Sequence, residues 1–166
     1  MARDSACPFC EIVAGRAPAS VVYSDDLIIA FTTIRQTRPG ECLVIPKAHI
    51  DHFTDIPDAL AAHIMVVAQK LGRRMREALD PLRIGMVVHG FGVAHAHLIV
   101  VPQHDRSDIV SAQHAFLDEG AIRFDGNLIP PTPRHELDAI AARLAIACPV
   151  SFQPAADPTC PNPTNR

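Results

Sequence analysis

Between Pro57 and Leu79 the apolar residues Leu60, Ile64, Val67, Leu71 and Met75 recur every three or four positions. That period lays them along one stripe of a helix, so the rest of the chain has to offer the stripe an apolar surface to cover. Pro57 suits a first helical turn, and Pro81 lies just beyond the last one. The apolar runs on either side are short: Ser20–Tyr23, Leu27–Phe31, Cys42–Ile45, Ile84–His89 and His95–Val101. Each is bounded by turn residues and reads as a strand, the first two joined as a hairpin through Ser24-Asp25-Asp26. Pro39-Gly40 makes a turn, Pro46 stops the third strand, and Gly90 to Gly92 joins the last two. Thr132 is expected to cap a final helix, with Pro133 at its first position and Leu137, Ile140 and Leu144 on its inner face. A sheet with one long helix packed on it and a C-terminal helical extension is an α+β domain. The expected domain covers residues 1–147, with its motifs in 7–102 and an extension over 103–147. From Cys148 onward the chain is rich in proline, asparagine and threonine and reads as a disordered tail.

Composition narrows the possible partners. The apolar fraction of 48% is that of a globular chain. A net charge of -3 and a pI near 6.3 give no general attraction to nucleic acid or to an anionic membrane. Arg73, Arg74 and Arg76 are the one tight basic cluster, and they read as the wet face near the end of the long helix. No apolar run approaches the roughly 20 residues that span a bilayer. Met1 to Cys7 lacks the apolar core of a signal peptide, so the expected compartment is the cytoplasm. The five cysteines are odd in number and only Cys7 and Cys10 are closely spaced, which does not make a disulfide framework.

Three segments carry chemistry. In Cys7-Pro8-Phe9-Cys10 a tight turn can bring both sulfurs to one side, where they can grip a metal ion. On spacing alone the pair also reads as a redox dithiol or as two ordinary cysteines. A metal reading needs two further ligands, for which the chain offers His49, His52, His89, His95 and His97. In His95-Ala96-His97 two imidazoles project from an otherwise apolar strand-like run, and strand alternation points both the same way. Packing does not account for such a pair, and a neutral imidazole is a metal ligand or a nucleophile. The third segment runs from Pro39-Gly40 through Leu43-Val44-Ile45-Pro46-Lys47 to His49 and by itself reads as a turn, a buried strand and a proline stop.

The ordered set CPFC, then AF-x-x-I at Ala30 to Ile34, then PG-x-x-LVIPK-x-H, a long helix and a glycine turn before H-x-H resembles the histidine triad (HIT) family of nucleotide hydrolases and transferases. The resemblance spans about Cys7 to Pro102. It implies an antiparallel half-barrel with the helix outside, and a homodimer. It implies one structural zinc per chain, held by Cys7, Cys10, His49 and His95, a closed set with no open catalytic position. It implies that His97 attacks the α-phosphorus to form a nucleotidyl-imidazole, which water or another acceptor then discharges. Substrate-contacting positions carried over are Ile34, His89, Gly92, Val93, Ala94 and Ile99, with backbone donors of Gly92 to Ala94 holding the phosphate oxygens.

The chain departs from that pattern at three places. The third histidine of the triad falls at Ile99, which can neither donate to nor accept from a phosphate. The loop before the triad is only Gly90 to Ala94, without the family's polar phosphate contacts, and His89 stands about where an asparagine is usual. The acidic residue that usually holds the ribose hydroxyls is Thr33. The expected function is therefore nucleotide phosphohydrolase or nucleotidyl transferase through His97. The alternative is a zinc-stabilised nucleotide-binding or regulatory domain without turnover. A hydrolase with a catalytic metal on His89, His95 and His97 is a third reading.

Overall fold

A computed structural model describes residues 7–109 and 115–147. It contains α1 (Pro8–Val13), β1 (Val21–Ser24), β2 (Ile28–Thr32), β3 (Cys42–Pro46), α2 (Asp58–Leu79), β4 (Arg83–Val87), β5 (Leu98–Gln103), β6 (Ala115–Asp118), β7 (Ala121–Phe124) and α3 (Arg134–Leu144). Strands β1 to β5 form one antiparallel sheet in the order β1-β2-β3-β5-β4, and β6 and β7 pair as a separate hairpin. The α+β class and the long helix against an antiparallel sheet are as the sequence implies. The expected tail from Cys148 lies outside the described residues. Among the described residues no helix is long and apolar enough to cross a membrane.

The sheet is covered on both faces. Ile64, Val67, Ala68, Leu71 and Met75 of α2 bury their stripe against Val22, Ile28, Val44, Leu98 and Val100, with Ala141 and Leu144 of α3 closing the same cluster. On the other face Ile29, Phe31, Leu43 and Ile45 pack with Cys7 and Phe9 of the α1 segment. Alternation along β2 and β3 therefore supplies two cores, and both strands are buried at every position. Gly40 turns the chain into β3 with a φ of +101°, and a Cβ there would meet Leu79 Cδ1 at 2.5 Å.

A buried polar network ties α2 to the β1–β2 turn. Asp25 accepts from the backbone N–H groups of Leu27 and Ile28 at 2.8 Å. It also accepts from the Tyr23 hydroxyl at 2.7 Å and from His63 Nε2–H at 2.5 Å. The His63 side chain is 2% exposed and that of Asp25 9%, so the network is shielded from solvent.

Two expected boundaries move. The histidine pair precedes the last core strand rather than lying inside it, because β5 begins at Leu98. The β3–β5 register pairs Val44 with Leu98, so the next inward-bonded partner of Pro46 would be Ala96. Proline has no N–H to give that ladder position. The Ala96 N–H instead reaches the Ile50 carbonyl at 2.6 Å, and the His95 N–H closes on Val93 at 2.8 Å. At the other end, Thr132 is not a helix cap: its N–H donates to the Ile34 carbonyl at 2.8 Å, and the cap position falls on Pro133. The short helix α1 and the β6–β7 hairpin have no counterpart among the elements read from the sequence.

Candidate functional site

The two cysteines meet because they straddle the start of a helix. Cys7 is the N-cap of α1, Pro8 supplies the fixed φ of its first turn, and Cys10 lies three residues on, above Cys7 on the same face. Phe9 between them is buried in the lower core. The loop after Pro46 returns His49 to this corner, and the bend before β5 returns His95. The four side-chain ligand atoms of Cys7, Cys10, His49 and His95 all lie within 4.8 Å of one another.

Their spacing fits a tetrahedral metal. The Cys7 Sγ to His95 Nδ1 distance is 3.5 Å, Cys10 Sγ to His49 Nδ1 is 3.3 Å and Cys10 Sγ to His95 Nδ1 is 3.7 Å. With Zn–S near 2.3 Å and Zn–N near 2.0–2.1 Å, a tetrahedron sets sulfur and nitrogen about 3.5 Å apart. His95 is fully buried and donates Nε2–H to the Pro46 carbonyl at 2.8 Å. That bond fixes the proton on Nε2 and turns the bare Nδ1 to the sulfurs, the tautomer a metal ligand needs. Burial pushes the His95 pKa down against the opposing pull of the Pro46 carbonyl, which keeps the ring neutral. Cys42 has no part in this corner. Its thiol is fully buried, donates to the Gly40 carbonyl at 3.2 Å, and is pushed by desolvation well above the usual thiol range.

His97 is half-buried, and its Nδ1–H donates to the backbone carbonyl of His95 at 2.8 Å. The lone pair then resides on Nε2. Phe9 packs edge-on against both rings, with centroids 5.7 Å from His95 and 5.5 Å from His97. His97 borders two neighbouring depressions. One, of about 290 Å³, is walled by Asp51, His52, His89, Gly90, Val93 and His95. The other, of about 140 Å³, is walled by apolar residues of α2 and of the turn before it together with Val44 and Leu98 of the sheet. Phe53, Val88 and Ala96 border both.

The remaining candidate positions are spread more widely. His89 and Val93 share the larger depression with His97, and Val93 also packs on the Phe9 core. Gly92 and Ala94 are exposed in the same turn but wall neither depression, and Gly92 takes a φ of +95°. Ile99 packs on the Cys7, Phe9 and Leu43 cluster and likewise walls neither depression. Ile34 is exposed beyond the end of β2, held to the α3 leader through its carbonyl. Phe9, Phe53 and Val88 border His97 without having been singled out in the sequence. Phe9 could have been, since it lies inside the CxxC pair; the other two carry no sequence signal.

Residues 14–107 match the HIT domain family. Over 107 residues the chain is 33% identical to Protein hit of Bacillus subtilis, covering 61% of this chain and 74% of that protein. It is 32% identical over 106 residues to the adenosine 5'-monophosphoramidase HNT1 of Saccharomyces cerevisiae, covering 61% of this chain and 65% of that protein. A solved zinc-bound histidine triad family protein from Mycobacterium smegmatis superposes with a TM-score of 0.62 at 30% identity, over 84% of this chain and 93% of that one.

Proposed function

Since this chain belongs to the HIT domain family, we propose that it is a nucleotide phosphohydrolase or nucleotidyl transferase that works through a covalent nucleotidyl intermediate on His97. The observation that carries this reading is the bond from His97 Nδ1–H to the His95 carbonyl. It leaves Nε2 as a lone-pair nucleophile on a ring held by the buried His95-Ala96 backbone and by Phe9, so little orientation is lost on approach to phosphorus. In the first step Nε2 bonds to the α-phosphorus while the bond to the leaving group breaks, its electron pair going to the leaving atom, which takes up a proton. In the second step water attacks phosphorus, the P–N bond returns its electrons to the imidazole, and the proton of the water is released. Another acceptor hydroxyl in place of water makes the same chain a transferase. Gly90 and Val93 of this turn wall the larger depression beside His89, where their backbone N–H groups would meet phosphate oxygens.

The substrate class follows from what the site lacks. Ile99 cannot stabilise a leaving polyphosphate as its charge grows, and His104 lies beyond the far end of β5. Phosphoramidates and small nucleotide esters are therefore the better substrates, in keeping with the relative named as a monophosphoramidase. The Cys7, Cys10, His49 and His95 set would hold one zinc ion, whose contribution is to fix the α1 corner against the turn that carries His97.

A homodimer has support of its own in the sheet. Among the described residues strand β4 is an edge of the sheet, paired with β5 alone, and Met86 and Val88 on and beside it are 45% and 44% exposed, as are Met65 and Val66 of α2 at 46% and 44%. An apolar edge of this kind invites a second copy.

The test is turnover of adenosine 5'-phosphoramidate by wild type, His97→Ala and His97→Asn, with trapping of labelled protein in acid-quenched samples. Activity and label confined to wild type are the expected result. Full activity in His97→Ala refutes the nucleophile. Tight nucleotide binding with no turnover in any form establishes the binding-domain alternative, which the loss of the third histidine favours.

A further inference from the structure

The two steps on His97 need a proton moved at the same place. In an in-line displacement the leaving atom departs from the side of phosphorus opposite Nε2, and the water of the second step enters from that side. A departing amine has to gain a proton, and the attacking water has to lose one. One proton-carrying group on that side can serve both steps. Ile99 has no proton to give. His95 is buried, with its Nε2–H committed to the Pro46 carbonyl, and His104 lies beyond the far end of β5.

Besides His95 and His97, the larger depression has two imidazoles in its wall, His52 and His89. His89 leads directly into the turn whose Gly90 and Val93 N–H groups would meet phosphate oxygens, so it stands with the oxyanions. His52 enters the wall from a different segment, the loop between β3 and α2. That loop is tied to the H-x-H motif, since the Ile50 carbonyl accepts the Ala96 N–H at 2.6 Å. The turn that follows fixes the backbone of His52, whose carbonyl accepts the Asp55 N–H at 3.0 Å. Among the described residues three histidines have a carboxylate at ion-pair distance, His52, His63 and His135. Of these only His52 walls the depression of His97. Its partner is Asp51, with Oδ2 3.9 Å from Nε2. A lone carboxylate in a phosphate-binding wall repels substrate, whereas beside an imidazole it offsets the charge the ring carries with a second proton. Both side chains are exposed, so the ring exchanges protons with solvent between turnovers.

We propose that His52, with Asp51 as its orienting partner, is the proton carrier of the reaction, protonating the leaving group in the first step and taking the proton of water in the second. The proposal rests on the reading of His97 as the nucleophile. In the first step the imidazolium of His52 gives a ring proton to the departing amine nitrogen, which keeps the electron pair of the broken P–N bond. The ring is left neutral beside Asp51. In the second step that neutral ring takes a proton from the water whose oxygen bonds to phosphorus, while the electrons of the P–Nε2 bond return to His97. His52 is then cationic again, and the cycle closes with no other acid or base.

The experiment reads dependence on the leaving group. The adenosine 5'-phosphoramidate of propylamine needs a proton to lose its amine, whereas the 4-nitrophenyl ester of adenosine 5'-phosphate loses a stable anion. His52→Gln is expected to lower kcat/KM for the phosphoramidate by about a hundredfold or more, the range of general acid catalysis, and for the nitrophenyl ester by less than about threefold. With the ester the same variant is expected to release one equivalent of 4-nitrophenol per chain in a burst and then turn over slowly, because attack of water on the intermediate has lost its base. Asp51→Asn is expected to show the same split between substrates at smaller size, and His89→Gln a similar fall on both. Thermal melting checks that each variant is folded, which the exposed position of His52 favours. Equal effects of His52→Gln on the two substrates, or none on either, overturn the proposal and leave the nucleophile standing. A split that appears in His89→Gln instead also overturns it. Nitrophenol release that survives His97→Ala overturns the nucleophile and the proton carrier with it, as does turnover of neither substrate by wild type.

Discussion

Stripping the metal from the Cys7, Cys10, His49 and His95 set is expected to release one corner of the molecule and leave the rest folded. Helix α1 has six residues, and its segment buries two side chains well, Cys7 at 7% and Phe9 at 8% exposure. Burying a phenylalanine is worth about 1.5–3 kcal/mol, while ordering backbone costs about 1–2 kcal/mol per residue. Apolar packing therefore falls short of holding six residues in place, and metal–ligand bonds at the proposed zinc set would make up the difference. The larger core between α2, α3 and the sheet contains no residue of this segment, so it has no reason to melt. Structural zinc contributes about 10–16 kcal/mol in peptides that are unfolded without it; here only the share that orders α1 and the His49 loop is lost. Even about 3 kcal/mol lowers the melting temperature by roughly 6–12 °C in a chain of this size. The assay is hydrogen exchange by mass spectrometry, on protein as purified and after dipicolinate chelation, alongside metal analysis. About one zinc per chain is expected, with protection lost over residues 7–13 and around His49 and kept in α2 and β1 to β5. Cys10→Ser should behave as the chelated protein does. Purified protein without zinc, or α1 amides that stay protected after chelation, would refute the reasoning, and so would collapse of the whole sheet.

Three further outcomes follow from particular contacts. Burial raises the Asp25 carboxyl, but the bonds from Ile28, Tyr23, His63 and Leu27 outweigh it and hold the pKa below the usual range. A depressed folded value means that its stabilisation is complete above the unfolded pKa of about 4 and is lost as pH falls through the lower folded value. Asp25→Asn should thus lower stability by about 1–3 kcal/mol at pH 7, with the gap to wild type narrowing below about pH 4 in denaturant titrations; a gap that does not change with pH removes the carboxylate from the account. Met86→Lys puts a charge on the exposed β4 edge and should shift a dimer towards monomer by at least about tenfold in dissociation constant, read by light scattering; a monomeric wild type at micromolar concentration ends the dimer reading. Ile99→His puts an imidazole into the Phe9 cluster on which the His97 ring also packs and should raise kcat/KM on dinucleoside polyphosphates by about tenfold, or roughly 1.4 kcal/mol of barrier; an unchanged rate would detach position 99 from substrate choice.

What could be read in the sequence was whatever a single period or a single spacing encodes. The α2 stripe shows at 3.6 residues, and the two-faced burial of β2 and β3 shows as unbroken apolar runs. CxxC and H-x-H carry the ligands by spacing, but only the fold brings His49 to them across 39 residues from Cys10. The displacement of His95 and His97 out of β5 depends on Pro46 in another strand, a pairing that no local window contains. The β6–β7 hairpin leaves little mark in the sequence because its turn places Glu119 at a φ of +47° beside Gly120, and glutamate is a poor marker of a left-handed turn. The boundary between polar and apolar spaces at His97 was also hidden, since Phe53, Met65 and Val88 come from three separate segments.

Pro46 has an effect on how far the H-x-H motif can travel. Its carbonyl holds the ring of His95, and its missing N–H is what ends the ladder and lets the chain bend there. The bent backbone then presents the His95 carbonyl to His97. The side chain of His95 thus faces the proposed metal corner while its carbonyl holds the ring of His97, the proposed nucleophile, so the two roles are not separable modules. Grafting the three residues of the motif into another antiparallel sheet would give a regular strand with two surface histidines. A transplant that works has to carry the proline of the neighbouring strand, in register, along with the histidines it serves.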